Sequence, residues 1–198
     1  MMKVKMTEKV VPVAVLHNLD ETKEALDLVR EGGLPVIEIT FRTEHARDAI
    51  AYATTHYPDI LTGAGTVINA EQCEEAIAAG ARFIVGPGFS REVADACAKH
   101  DVLYIPGVIT PTEVMMAIEC GLDLLKFFPF SCFGGLATVN ALAGPFPQVK
   151  FMLTNGVSGE NCGELLQNPH VVAVGGSWML KGTREEKLAK IKVAASFR

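Results

Sequence analysis

A single lysine, Lys126, interrupts an apolar run at residues 124–129 whose composition is typical of a buried strand. Burying an ammonium is costly unless the charge is paired, and an amine that loses its water favours the neutral form. Neutral lysine amines are the nucleophiles that form Schiff bases with carbonyl compounds. The structural alternative is a lysine at a strand end whose ammonium extends to water. The residues that accompany Lys126 must decide between these two interpretations.

A carboxylate, Glu38, occupies a comparable position in the apolar run at residues 35–40. Glu38, Val85 and Lys126 each lie five residues after a glycine that ends a helical pattern. Those glycines are Gly33, Gly80 and Gly121. Because alternate strands of a barrel fill its interior in layers, the three residues are expected in one layer, with Glu38 facing Lys126. Such a pair could be a structural ion pair or an acid and base for chemistry at the amine.

Eight short runs rich in apolar and β-branched residues are predicted as strands. They lie at residues 10–15, 35–40, 60–63, 83–86, 103–106, 124–129, 150–154 and 171–174. Apolar residues at helical spacing lie between these runs, for example at Ala46, Ala49, Ile50 and Ala53. Capping boxes, which mark helix starts, are present at residues 110–113 and 183–186. Strands and helices therefore alternate along the chain.

This alternation predicts a parallel sheet, and eight units without a linker favour a single-domain (β/α)₈ TIM barrel over residues 1–198. Residues 1–9 are expected to form a short N-terminal extension. A doubly wound open sheet is the competing architecture. Its glycine fingerprint is incomplete at residues 63–68, where the third glycine is missing.

The composition excludes several classes of function. The net charge of −5 argues against nucleic acid or an anionic membrane as a partner. The five cysteines have no C-x-x-C pair and no histidine at metal-ligand spacing, which indicates reduced thiols. The first residues contain no apolar signal core, and no apolar stretch approaches the length of a membrane span. We therefore expect a cytoplasmic protein.

Polar residues follow several of the predicted strands, where barrel enzymes place their sites. Arg42 follows the second strand and offers a guanidinium suited to a carboxylate. Its position at a helix start is unfavourable for a cation with a purely structural role. A cation near Glu38 would also counter the tendency of that carboxylate to keep Lys126 protonated. Thr66 follows the third strand, and Gly156, Gly176 and Ser177 lie in glycine-rich loops after the last two, where barrels commonly hold a phosphate.

In their order along the chain, these motifs resemble the family of 2-keto-3-deoxy-6-phosphogluconate (KDPG) aldolases, which includes 4-hydroxy-2-oxoglutarate (KHG) aldolases. The resemblance rests on residues 10–13, 38–44, 63–67, 126–129 and 175–178. It implies a class I aldolase without metal or cofactor, in a homotrimer of barrels. The small-molecule substrate would be a 2-keto acid, in most cases phosphorylated, and one product would be pyruvate.

The resemblance also implies a role for each site residue. Lys126 would form the Schiff base and Glu38 would move protons. The remaining contacts would be Arg42 and Thr66 with the substrate carboxylate, Pro87 and Phe128 along the pocket wall, and Gly156, Gly176 and Ser177 with the phosphate.

Some positions depart from the family's motifs. Leu153 and Asn155 stand where the family usually has proline and glycine, and residues 130–133 replace a smaller, more polar stretch. The N-terminal segment is also shorter than usual. Two other functions remain open on the same barrel. One is a phosphosugar isomerase or epimerase that uses Glu38 as its base, and the other is a binding protein for a phosphorylated metabolite.

Overall fold

The computed structural model describes residues 7–197, and within that range nine parallel strands form one sheet. The strands are β1 (Val10–Ala14), β2 (Val36–Thr40), β3 (Leu61–Gly65), β4 (Phe83–Val85), β5 (Leu103–Ile105), β6 (Gly107–Val108), β7 (Leu124–Phe127), β8 (Lys150–Thr154) and β9 (Val171–Gly176). Their order in the sheet is β5-β4-β3-β2-β1-β9-β8-β7-β6. Each of the eight predicted strands is present, with bounds within two residues of those expected. Most of the predicted N-terminal extension lies outside the described residues.

The sheet closes on itself at Pro106, which separates β5 from β6 in the chain. Proline has no N–H to donate, so it interrupts the ladder of the fifth barrel strand. Its carbonyl accepts a hydrogen bond from the Lys126 amide at 2.8 Å, while the Gly86 amide donates to Ile105 at 3.1 Å. The first half of this strand therefore pairs with β4 and the second half with β7. The prediction of a (β/α)₈ barrel is confirmed, and the open doubly wound sheet is wrong.

Eight α-helices surround the sheet in the described part of the chain. They are α1 (Leu19–Glu31), α2 (Ala46–His56), α3 (Ala70–Ala78), α4 (Arg91–Lys99), α5 (Pro111–Glu119), α6 (Gly135–Ala143), α7 (Cys162–Leu165) and α8 (Arg184–Ala195). Both predicted capping boxes are present, at Thr110 before α5 and at Thr183 before α8. No helix within residues 7–197 has the length and apolar character needed to cross a membrane.

Strand alternation separates the helix-facing core from the barrel interior. Ile37 and Ile39 of β2, with Leu125 and Phe127 of β7, are fully buried on the side of the helices. The intervening residues Glu38 and Lys126 point into the barrel. In such barrels each strand is shifted by about one residue along the barrel axis relative to its neighbour. When this shift is applied to the strand register, Val85, Lys126 and Gly175 lie at the same height in the barrel as Glu38. This agrees with the predicted layer and adds a glycine to it, against which the Met152 and Thr154 side chains pack.

Candidate active site

Glu38 lies almost fully buried in the barrel, with 1% of its surface exposed. Burial raises the pKa of its carboxyl above the ordinary value, and the positive charges of Lys126 and Arg42 oppose that shift. Its Oε2 atom is buried and has no hydrogen-bond partner in the described part of the protein. A Cβ on the neighbouring Gly65 would collide with the carboxyl group, so that glycine makes room for it. A buried carboxyl with a raised pKa and a free oxygen is suited to general acid–base chemistry.

Lys126 lies on the opposite side of the same layer and is 6% exposed. Its Nζ atom lies 5.0 Å from the centroid of the Phe128 ring, within the range of a cation–π contact. Lys126 is one of the residues that line the cavity at the carboxyl ends of the strands. The lysine amine and the Glu38 carboxyl thus both reach the interior of the barrel, as the sequence predicted.

Arg42 and Thr66 lie just beyond the ends of β2 and β3 and are joined by a hydrogen bond. The Arg42 Nε donates to the Thr66 Oγ1 at 3.1 Å. Thr66 has a φ of +57°, which is rare for a β-branched residue. Such backbone strain is concentrated at functional sites. Because Arg42 is exposed and only its Nε is engaged here, the rest of the guanidinium is available to an anionic ligand.

A cavity of about 360 Å³ opens at this end of the barrel. Six of the predicted site residues line it: Arg42, Lys126, Phe128, Gly156, Gly176 and Ser177. Thr66 is connected to it through Arg42. Pro87 is not among the lining residues, and its backbone packs against Gly107. Pocket lining by Pro87 therefore stays a prediction.

The loop after β8 is held in a left-handed backbone conformation at two successive residues. Asn155 has a φ of +75° and Gly156 a φ of +81°. The Ser131 hydroxyl donates to the Asn155 Oδ1 at 2.7 Å, and the Ser131 amide donates to the Asn155 carbonyl at 3.3 Å. Two of the departures from the family's motifs, Asn155 and residues 130–133, are therefore in contact. The Asn155 side chain is turned towards Ser131.

Thr154 and Lys181 line the cavity but were not among the predicted site residues. Thr154, the last residue of β8, lines the cavity, and its buried Oγ1 has no hydrogen-bond partner among the described residues. Alternation with Met152 could have indicated that it faces inward, but threonine is common in strands of any role. Lys181 also lines the cavity. It lies in an irregular segment after β9, where no sequence pattern predicts the direction of a side chain.

The parallel barrel carries a buried carboxyl, Glu38, and a buried amine, Lys126, near the carboxyl ends of its strands. Enzymes with this fold place their active sites at that end. Comparisons with known proteins identify the family. The family model for KDPG and KHG aldolase matches residues 2–194. The chain belongs to this family, whose aldolases are lyases.

Individual relatives agree with the family assignment. The chain is 41% identical to 2-dehydro-3-deoxy-phosphogluconate aldolase of Treponema pallidum over 172 residues, which is 87% of this chain and 82% of the relative. The crystal structure of the KDPG aldolase of Zymomonas mobilis with 3-phosphoglycerate superposes with a TM-score of 0.91 at 34% identity, covering 97% of this chain and 93% of that one. The KDPG aldolase of Legionella pneumophila, with pyruvate captured as a covalent carbinolamine, has a TM-score of 0.86 at 37% identity and covers 96% and 92%.

Proposed function

We propose that this chain is a class I aldolase that cleaves KDPG to pyruvate and glyceraldehyde 3-phosphate. Cleavage of KHG to pyruvate and glyoxylate is the second reaction that the family makes available. The observation that carries the proposal is the buried pair of Lys126 and Glu38, in one layer at the end of the barrel where substrates enter. The carbinolamine of the Legionella relative supports the same chemistry.

In the first half of the reaction, the neutral amine of Lys126 attacks the keto carbon of the substrate and forms a carbinolamine. Glu38 in its protonated form gives a proton to the carbinolamine hydroxyl, which leaves as water. The product is a protonated imine on Lys126. The raised pKa of the Glu38 carboxyl supports this role because the group stays protonated closer to neutral pH.

In the second half, Glu38 as a carboxylate takes the proton of the C4 hydroxyl. The C3–C4 bond breaks, its electron pair moves into the imine, and the aldehyde product leaves an enamine on Lys126. Protonation of the enamine at C3 and hydrolysis of the resulting imine release pyruvate and free the amine. The steps balance in protons and electrons, and water is the only other reactant.

Arg42 and Thr66 are proposed to bind the carboxylate that becomes that of pyruvate. The hydrogen bond from the Arg42 Nε to Thr66 fixes the guanidinium plane, which favours two-point contact with a carboxylate. Phe128 packs beside the amine, and Pro87 is proposed to complete the wall. Gly156, Gly176 and Ser177 would donate backbone and hydroxyl hydrogen bonds to the phosphate.

The proposal is tested by following pyruvate release from KDPG with the wild-type protein and with Lys126→Met. We expect the variant to lose activity by about 10³-fold or more, because the nucleophile is absent. Its circular dichroism spectrum should match that of the wild type. A folded wild-type protein that releases no pyruvate from either keto acid would contradict the assignment.

We further propose that the protein is a cytoplasmic homotrimer and that residues 1–198 act as one domain. Exposed apolar side chains at Ile68, Met115, Met116 and Phe133 support contacts between copies. All five cysteines are free thiols, which supports a reducing compartment. Light scattering after size-exclusion chromatography measures the number of subunits.

A further inference from the structure

Lys181 occupies a fixed position at the rim of the active-site cavity. It follows the short 3₁₀ turn Trp178–Leu180, which comes directly after the Gly176–Ser177 loop. The turn is anchored by Met179, which is fully buried, and by a hydrogen bond from the Leu180 amide to the Ser177 carbonyl at 3.1 Å. The Lys190 Nζ donates to the Lys181 carbonyl at 2.8 Å and ties this point to α8. The backbone that carries Lys181 is thus held on both sides.

The Lys181 ammonium is not used by the protein itself. Its side chain lines the active-site cavity together with Gly176 and Ser177, and within residues 7–197 its Nζ has no hydrogen-bond or ion-pair partner. A second cavity of about 450 Å³ adjoins the first and also contacts Lys181.

The two carboxylates of that second cavity, Glu21 and Glu24, already have partners. Glu21 accepts from the His17 amide at 2.8 Å, and Glu24 accepts from the Lys187 Nζ at 2.8 Å. Neither carboxylate is paired with Lys181, whose ammonium therefore remains available to a ligand.

The active-site cavity is cationic although the whole chain carries a net charge of −5. Among the described residues that line it, the charged ones are Arg42, Lys126 and Lys181. The Glu38 carboxyl, which interacts with the charges of Lys126 and Arg42, is not among the lining residues. Lys126 is committed to the Schiff base in the proposed function, which leaves Arg42 after β2 and Lys181 after β9. Two cations at separate points of the rim fit a substrate with an anionic group at each end.

Resting on the proposed function, we propose that Lys181 binds the distal anionic group of the substrate and selects the phosphorylated six-carbon keto acid over the five-carbon dicarboxylate. A phosphate monoester carries about −1.5 to −2 charges at neutral pH, whereas a carboxylate carries one. The phosphate also lies several bonds further from the reacting carbon than the second carboxylate of the shorter substrate does. The neighbouring loops offer neutral hydrogen bonds, so Lys181 supplies the charge that favours the dianion.

The test compares Lys181→Met with Lys192→Met, which removes an exposed lysine of α8 that lines neither cavity. Cleavage of KDPG and of KHG is measured for both variants. For Lys181→Met, kcat/KM for KDPG should fall by roughly tenfold to a hundredfold, mainly through KM, as expected when one charge-assisted hydrogen bond is lost. For KHG the loss should stay below about threefold, because its second carboxylate carries one charge and lies fewer bonds from the reacting carbon than the phosphate of KDPG. Lys192→Met should resemble the wild type with both substrates.

Two further measurements distinguish a specific contact from a structural effect. Lys181→Arg keeps the charge and should restore most of the activity on KDPG. The KM of the wild type for KDPG should rise with ionic strength more steeply than that of Lys181→Met.

Equal losses on both substrates, or no loss on KDPG, would overturn the role of Lys181. Trapping of pyruvate by borohydride, which needs no distal anion, should be unchanged in Lys181→Met. If the wild type also fails to trap pyruvate, the proposed function itself is wrong.

Discussion

At the scale of residues, the candidate site contains buried polar atoms that have no hydrogen-bond partner in the described part of the protein. The Oε2 atom of Glu38 and the Oγ1 atom of Thr154 are buried and have no hydrogen-bond partner within residues 7–197. An unpaired buried polar atom costs about 1–3 kcal/mol, so each one calls for an explanation. The other two in the described residues are the Trp178 Nε1, on the same cavity, and the His170 Nδ1, outside it. The Glu38 carboxyl interacts with the charge of Lys126, and Thr154 lines the same cavity as Lys126, so a ligand bound at the lysine is proposed to supply both partners.

The raised pKa of Glu38 makes a prediction about stability. Because the folded protein holds this proton more tightly than the unfolded chain does, the stabilisation is complete below the ordinary pKa of 4.5 and is lost as pH rises through the folded value. Glu38→Gln removes the titration. The unfolding free energy of the wild type minus that of the variant should therefore fall as pH rises above about 4.5, by at most about 1.4 kcal/mol per pH unit.

Urea unfolding at a series of pH values measures this difference. Glu44→Gln is the matched control, because Glu44 is an exposed carboxylate in the loop after β2. Its stability curve should run parallel to that of the wild type. A difference between the wild type and Glu38→Gln that does not change with pH would show that the Glu38 carboxyl titrates normally.

Lys126 and Glu38 could be predicted from the sequence because each is a charged residue inside an apolar run. Burying a charge costs free energy, so a charge at such a position indicates a function or a partner. Thr154 and Lys181 give no such signal. A threonine at the end of a strand and a lysine in a surface loop are ordinary, and only the three-dimensional structure shows that both line the cavity.

At the scale of elements, the interrupted fifth strand connects the closure of the barrel with the position of the site. The apolar run that predicts this strand ends at Pro106, and the two residues of β6 beyond it are too few to form a pattern of their own. For this reason the second half of the strand could not be predicted. It is nevertheless the half that pairs with Lys126, through Gly107.

Gly107→Ala is expected to destabilise the barrel at this point. A Cβ there would collide with the Pro87 carbonyl, and this neighbour is backbone that cannot rotate away. Overpacking of this kind costs about 1–3 kcal/mol, measurable by urea unfolding. Gly88→Ala is a suitable control, because a Cβ at Gly88 has nothing within 4 Å. Equal stability of the two variants would contradict the tight packing between Gly107 and Pro87.

At the scale of the whole molecule, the net charge of the chain and the charge of the residues that line the active-site cavity have opposite signs. The chain has five more acidic than basic charges, yet the charged side chains that line the active-site cavity are all cationic. Net charge predicts that nucleic acid and anionic membranes are poor partners, but it gives no information about the local potential inside a cleft. The proposed affinity for a doubly anionic keto acid depends on where the fold places Arg42, Lys126 and Lys181.

The central claim, that Lys126 forms a Schiff base with a keto acid, is tested by incubation with pyruvate and borohydride followed by peptide mass spectrometry. The account predicts a reduced pyruvyl adduct on the peptide that contains Lys126 and none in Lys126→Met. Lys150→Met is the matched control, because Lys150 begins the adjacent strand β8 and its Nζ is bound to the Pro169 carbonyl at 3.0 Å. That variant should keep the adduct. No adduct in the folded wild-type protein, or an adduct on a different lysine, would contradict the account.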